Sequence, residues 1–185
     1  AGYVLNVSPE MEFFYFKDDT TVSSGSAIPE PLDNAGYFDL TPQDSARDLR
    51  RDMTLALEQM SIPVEYSYHA MAPSQNGVSL RYAEAVTCAD NIMTSRLVIK
   101  QTAVAHGMFA SFMPKPLSGV AGSALFLCQS LFDHDGNNLF WAQGEGSVHH
   151  LSEVAQRYIA GLLKYAPEFT LVTNPTVNSY KRLVP

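Results

Sequence analysis

Two glutamates separated by one residue, Glu10 and Glu12, are the first candidates for chemistry in this chain. They lie in Pro9-Glu10-Met11-Glu12-Phe13-Phe14-Tyr15-Phe16, whose aromatic content favours a strand. Positions two apart on a strand face the same side. Two carboxylates so placed repel one another unless a cation lies between them or water solvates them. The pattern therefore predicts either part of a divalent-cation site or a pair of solvated carboxylates at a sheet edge, and does not choose. His69 stands alone, and a lone imidazole is more often a hydrogen-bonding residue than a ligand. His149 and His150 adjoin one another near Glu145, but consecutive side chains diverge on a strand, so a polar loop is expected there. Cys88 and Cys128 are far apart and outside any CxxC or Cys/His cluster, which predicts two buried thiols and no zinc site. A carboxylate and an imidazole among Glu10, Glu12, Tyr68 and His69 could carry general acid–base chemistry, although nothing in the spacing demands it. There is no P-loop, nucleophile elbow or dinucleotide fingerprint.

The elements that must hold these residues fit one compact domain over residues 1–185. Hydrophobic residues make up 46% and charged residues 17%, a globular balance. A formal net charge of -7 argues against nucleic-acid and anionic-membrane partners. The apolar runs are too short for a membrane span and no basic-then-apolar leader is seen, so a cytoplasmic location is expected.

Residues 3–7 and 12–16 read as strands, and 17–34 as a polar surface loop. Thr41 with Pro42 and Asp44 predicts a helix start, and Ala46, Leu49, Met53, Leu57 and Met60 mark its buried face. Strands are expected at 64–68 and 78–82. A long helix is expected over 83–106, with Val86, Ala89, Met93, Leu97 and Val104 as its apolar stripe and Gly107 as its stop. Residues 108–113 and 124–131 read as strands, and Asp135-Gly136-Asn137 as a turn. A last helix over 152–165 has Ser152 as cap and Val154, Ile159, Leu162 and Leu163 near its buried face. Strands alternating with helices, without a regular βαβ rhythm, predict an α+β fold.

Several blocks recur in the order found in one family. Glu10-Met11-Glu12-Phe13-Phe14, Gly36-Tyr37-Phe38-Asp39, Ala89-Asp90-Asn91, Phe112-Met113-Pro114-Lys115-Pro116, Gln129-Ser130-Leu131 and Asn178-Ser179-Tyr180-Lys181-Arg182-Leu183-Val184-Pro185 resemble type I glutamine synthetase. The resemblance implies a curved, largely antiparallel sheet backed by helices, as in the central part of that family's catalytic domain, here in truncated form. It also implies an ancestral glutamate–ammonia ligase that uses ATP and Mg²⁺ or Mn²⁺. In that pattern Glu10 and Glu12 are metal ligands, Ser130 is a nucleotide-proximal hydroxyl and Arg182 grips the substrate carboxylate.

The same resemblance marks departures. Where the family's metal-binding block reads His-His-Glu with a second Glu downstream, this chain reads Tyr68-His69-Ala70 and then Gly77. Phe126 and Cys128 stand at two histidine positions, and Ala121 at an asparagine that contacts substrate. Ala70, Gly77 and Phe126 offer no ligand to a hard cation. Phe126 is accordingly expected to turn the strand face into apolar core. The expectation is a non-catalytic or engineered scaffold or binding domain, with no cofactor and a capacity to form homo-oligomers. The alternatives are an active ATP- and Mg²⁺/Mn²⁺-dependent γ-glutamyl ligase completed by other chains, and a redesigned enzyme with a new pocket.

Overall fold

In a computed structural model, residues 2–17, 29–40, 44–144 and 148–183 are described. The expected cap at Thr41, Pro42 and Glu145 lie outside them. The organising element is β1, Val4–Phe16, a single strand of 13 residues where the sequence suggested two. One edge of β1 pairs with β4 (Ala83–Glu84) and β3 (Gln75–Leu80), the other with β6 (Leu125–Phe132) and β5 (Phe109–Ser111), all antiparallel. β2 (Val64–His69) continues the sheet outward from β3, completing six strands. Pro9 has no N–H to give the ladder. It sits between the stretches of β1 that pair with β4 and β3, where the Ser8 hydroxyl donates to the Leu80 carbonyl at 2.9 Å instead.

Alternation along β1 sorts the two faces. Met11, Phe13 and Tyr15 point into a core shared with Val78 and Leu80 of the sheet and with two helices, α1 (Arg47–Gln59) and α2 (Ala85–Ala105). Leu49, Met53 and Leu57 of α1 and Ile99 and Ala103 of α2 fill it. Each large aliphatic side chain buried here contributes about 1.5–3 kcal/mol. Phe14 and Phe16 lie on the opposite face with Ala72 and Leu117. Gly107 ends α2 with φ +69°, and the Met108 N–H donates back to the Ala103 carbonyl, closing the helix in the left-handed turn that glycine permits. The chain closes with α3 (Glu153–Thr173), capped by Ser152 as expected, and α4 (Val177–Leu183), which the sequence reading did not anticipate.

Several expectations are corrected. α1 begins at Arg47, and Asp44 lies before it, receiving the Ala46 N–H and pairing with Arg50 instead of sitting in the first turn. Met60 is exposed. On α2 the predicted stripe faces outward: Val86, Met93, Leu97 and Val104 are exposed, whereas Cys88, Ser95, Ile99 and Ala103 are buried. The stripe on α3 is likewise exposed, with only Ala155 buried. Cys128 is exposed, not buried. Among the described residues no helix is long and apolar enough to cross a membrane.

A buried polar hub ties the loop before α1 to the β2–β3 hairpin. Arg50 pairs with Asp44 and donates to Asn76 Oδ1 at 2.6 Å. Asp33 accepts from the Ser74 and Ser45 N–H groups, each at 3.0 Å, and faces His69 Nε2 at 3.0 Å. His69 Nδ1 lies 2.8 Å from the Ala70 carbonyl, so both ring nitrogens face acceptors and the imidazolium suits the site. Burial alone would depress His69, but Asp33 and the Ala70 carbonyl outweigh it and raise its pKa above the ordinary value. Because the folded pKa is raised, this contribution to stability is full below the unfolded value near 6.5 and is lost as pH rises through the folded one. Urea midpoints measured from pH 6 upward should therefore fall, and Asp33→Asn should flatten that decline while lowering stability overall. Separately, Asp44→Ala strands a buried guanidinium and should cost about 3–5 kcal/mol.

Candidate functional site

The sheet register brings the sequence-predicted positions together. Glu12 pairs with Gly77, which pairs in turn with Tyr68, and Glu10 lies between Ser79 and Phe126. Glu10, Glu12, Gly77 and Phe126 thus share a small patch of one face. Cys128 lies one rung further on, opposite Ser8, and Ser130 beyond it, opposite Asn6. Ala70 is buried just past the end of β2, its N–H donating to the Gln75 carbonyl at 2.7 Å. Arg182 arrives from α4, which Asn178 docks by a two-way exchange with the Lys115 main chain at 2.7 and 2.9 Å.

The occupant of this face is Tyr68. Its ring lies against Gly77 so closely that a Cβ there would collide with it. Its hydroxyl donates to Glu10 Oε1, and the Tyr66 hydroxyl reaches Glu10 Oε2 at 3.4 Å. Phe38 stacks on the Tyr68 ring, centroids 5.0 Å apart and nearly parallel. Phe38 adopts φ +58°, a conformation uncommon for a bulky residue, and its N–H is held by the His69 carbonyl at 2.9 Å. Burial, then the hydrogen bond and charge of Glu10, push the Tyr68 phenol well up, so it remains a neutral donor. Phe126 does not build a core here: it is 48% exposed, correcting the expectation of an apolar core face.

Glu12 is pinned differently. Its N–H donates to the Ala124 carbonyl at 2.9 Å, and its carboxylate accepts the Ala124 N–H at 2.8 Å. Burial pushes the Glu12 carboxyl above its ordinary range; the Ala124 N–H and Arg182 pull back in part, and Glu10 adds to the rise. Glu10 and Glu12 supply two carboxylates, but among the described residues no group of three His, Cys, Asp or Glu side chains converges on one point. As it stands the face can hydrogen-bond, stack and hold charge. It offers a cation two anionic ligands, one already engaged by tyrosine.

Sequence reasoning placed Glu10, Glu12, Gly77, Phe126 and Arg182 and named Tyr68 within a candidate acid–base group, but missed the hydrogen bond of Tyr68 to Glu10 and the parts played by Tyr66, Phe38 and Asp33. Tyr68 was within reach: period two along β2 sets it on the same side as Tyr66, the side that meets Gly77.

Comparison with known proteins defines the class. The glutamine synthetase catalytic-domain model matches residues 1–185, and the chain belongs to that family. It is 51% identical over 184 residues to the glutamine synthetase of Clostridium saccharobutylicum and 49% identical over 184 residues to that of Methanosarcina mazei. Both alignments take in 100% of this chain but 40% of the relative, so the chain spans well under half the length of these proteins. Among solved structures, GmaS in its ligand-free form superposes with a TM-score of 0.86 at 32% identity, over 98% of this chain and 42% of that one. The Plasmodium falciparum glutamine synthetase gives 0.83 at 26% identity, over 97% and 39%. The antiparallel sheet and its helices are thus those of the glutamine synthetase catalytic domain.

Because Arg182 lowers the Glu12 pKa, Arg182→Met should raise it further, and Glu10→Gln should lower it. Carboxyl-carbon NMR titration of both variants against the parent reads the two directions independently.

Proposed function

We propose that this chain is a non-catalytic member of its family, a binding domain that lacks ATP-dependent glutamate–ammonia ligase activity and holds neither Mg²⁺ nor Mn²⁺ in the ancestral place. The family's reaction activates glutamate by phosphoryl transfer, which requires divalent cations to neutralise phosphate charge and align the reacting oxygens. The observation that carries this reading is the aromatic occupation of the carboxylate face. Tyr68 covers Gly77 and bonds Glu10, while Phe126 stands directly across from Glu10. Three neighbouring positions that would complete a cation shell, Ala70, Gly77 and Phe126, carry no ligand, and a hard cation left with two carboxylates binds weakly. Ser130 and Arg182 belong in this reading to an inherited frame. Self-association and a cytoplasmic location accompany it by likeness to the family.

The second reading keeps ligase activity, with missing ligands supplied by other chains. Retention of the Glu10–Glu12 pair with Arg182 close to Glu12 favours it.

Calorimetric titration with ATP plus Mn²⁺, against a metal-free control, separates the two. The non-catalytic reading expects no saturable binding at millimolar nucleotide, whereas metal-dependent binding in the micromolar range would replace it with the second. A graft back toward the family pattern supplies a positive arm. Tyr68→His, Ala70→Glu, Gly77→Glu and Phe126→His together should create measurable Mn²⁺ affinity. Gly77→Glu alone should bind no metal and should destabilise the fold by about 1–3 kcal/mol, because its Cβ meets the Tyr68 ring.

A further inference from the structure

α2 is apolar on two opposite sides. Ile99 and Ala103 fill the core on its inner side. Its outer side carries Val86, Met93, Leu97 and Val104, each between 59% and 68% exposed. A helix apolar on both sides belongs in an interior, so the outer side calls for a cover. α3 also exposes apolar residues, but they are spread around the helix, and nothing in the structure says what would lie on them. The apolar-walled cavity of about 560 Å³ beside Glu12, where the Ser123 hydroxyl and Arg182 Nε are buried without partners, belongs to the site already described.

Two charged residues complete the outer stripe of α2. With Asp90 and Lys100 it reads Val86, Asp90, Met93, Leu97, Lys100, Val104, at alternating steps of four and three. At 3.6 residues per turn all six lie within about 40° of one direction. That spacing is the seam of a two-helix coiled coil. The order is also symmetric about Ser95. Val86 and Val104 stand nine residues to either side of it, Asp90 and Lys100 five, and Met93 and Leu97 two. A second copy of α2 laid antiparallel across Ser95 therefore sets Val86 against Val104, Met93 against Leu97 and Asp90 against Lys100, each pair twice. Acids meet bases, and no like charges face each other on the seam. Asp90 and Lys100 are both exposed, and among the described residues neither has an ion-pair partner. The stripe is neutral as a whole although the chain carries -7, so nothing on it favours a strongly acidic or basic partner over its own copy.

We propose that the outer face of α2 is a self-association surface, on which a second copy of this chain docks with its α2 antiparallel and the twofold axis at Ser95. The same patch serves both copies, as a twofold interface requires. The charge order fixes the occupant. An in-register parallel pair would set Asp90 on Asp90 and Lys100 on Lys100, and an unrelated protein would have to present the same order in reverse. One helix pair is a small interface, so the dimer is weak, with Kd on the order of 10–100 μM. This gives the self-association inferred above a definite surface, and it stands whatever the carboxylate face binds.

The test is sedimentation equilibrium of this chain in EDTA from about 5 to about 500 μM, where a monomer–dimer equilibrium is expected. Asp90→Lys alone and Lys100→Asp alone should each weaken the dimer at least about tenfold, because each sets like charges together at both ends of the seam. Asp90→Lys with Lys100→Asp in one chain should restore it. The two single variants mixed one to one should also associate, since every facing pair is then opposite in sign. Both positions are exposed, and circular dichroism confirms that a monomeric variant is still folded. A parent chain that stays monomeric at the highest concentration overturns the proposal, whether another protein covers the face or none does. A dimer unchanged by Asp90→Lys overturns it too, by placing the contact elsewhere, as does failure of the mixed variants to associate. None of these outcomes alters the metal–nucleotide titration, so the two readings fail separately.

Discussion

The rest of the structure depends on β1 being a strand with both edges taken. Along 13 residues it hydrogen-bonds to four other strands, and only β2 joins the sheet without touching it. Its pleat has one solution. Met11, Phe13 and Tyr15 must face the helices, which forces Glu10 and Glu12 to the other side. A slip of one residue would turn two carboxylates into the helix-backed core and take Met11, Phe13 and Tyr15 out of it. The carboxylate pair is thus positioned by the core and not by anything bound to it. What the face does is left to the residues that share it.

Those residues are held by a second, polar constraint. The β2–β3 hairpin carries Tyr68 and Gly77, and its turn is fastened by Asp33, His69, Ser74 and Asn76, all deeply placed. Burial works against the charged forms of both Asp33 and His69, yet each favours the charge of the other: Asp33 is held below its ordinary pKa and His69 above. The same hairpin passes the His69 carbonyl to Phe38. Fixing His69 therefore fixes the ring stack on Tyr68, and through it the hydrogen bond to Glu10. Core electrostatics and the character of the exposed face are one connected arrangement.

Much of this was legible in the sequence, and the exceptions have a common cause. The aromatic run of β1, the Ser152 cap, the Gly107 stop and the Asp135-Gly136 turn are local signals, and local rules read them. Glu10 and Glu12 are legible from strand spacing and Gly77 from a resemblance, and the register sets the three side by side. The failures are of partnership. Periodicity finds an apolar stripe on α2 and on α3, but cannot say whether anything covers it, and here those stripes face outward. Phe126 is apolar by type, yet on β6 it stays half exposed. Tyr68 is visible in the sequence as a neighbour of His69, but its role lies in a contact across the sheet with a residue that has no side chain.

Glu12 shows how one scaffold can carry two unlike surfaces. Its charge reaches Tyr68 on the aromatic side, while its carboxylate is bonded at Ala124 and drawn toward Arg182 at the cavity. In a cation site the two glutamates would act together on one face. Here Tyr68 takes Glu10, and Ala124 with Arg182 takes Glu12, so the pair is divided between neighbours on opposite sides. The positive charge of Arg182 is only partly countered by a Glu12 whose own charge burial disfavours. The residual electrostatic demand therefore falls on the cavity side of the sheet, where the walls are apolar and the unpaired donors are buried.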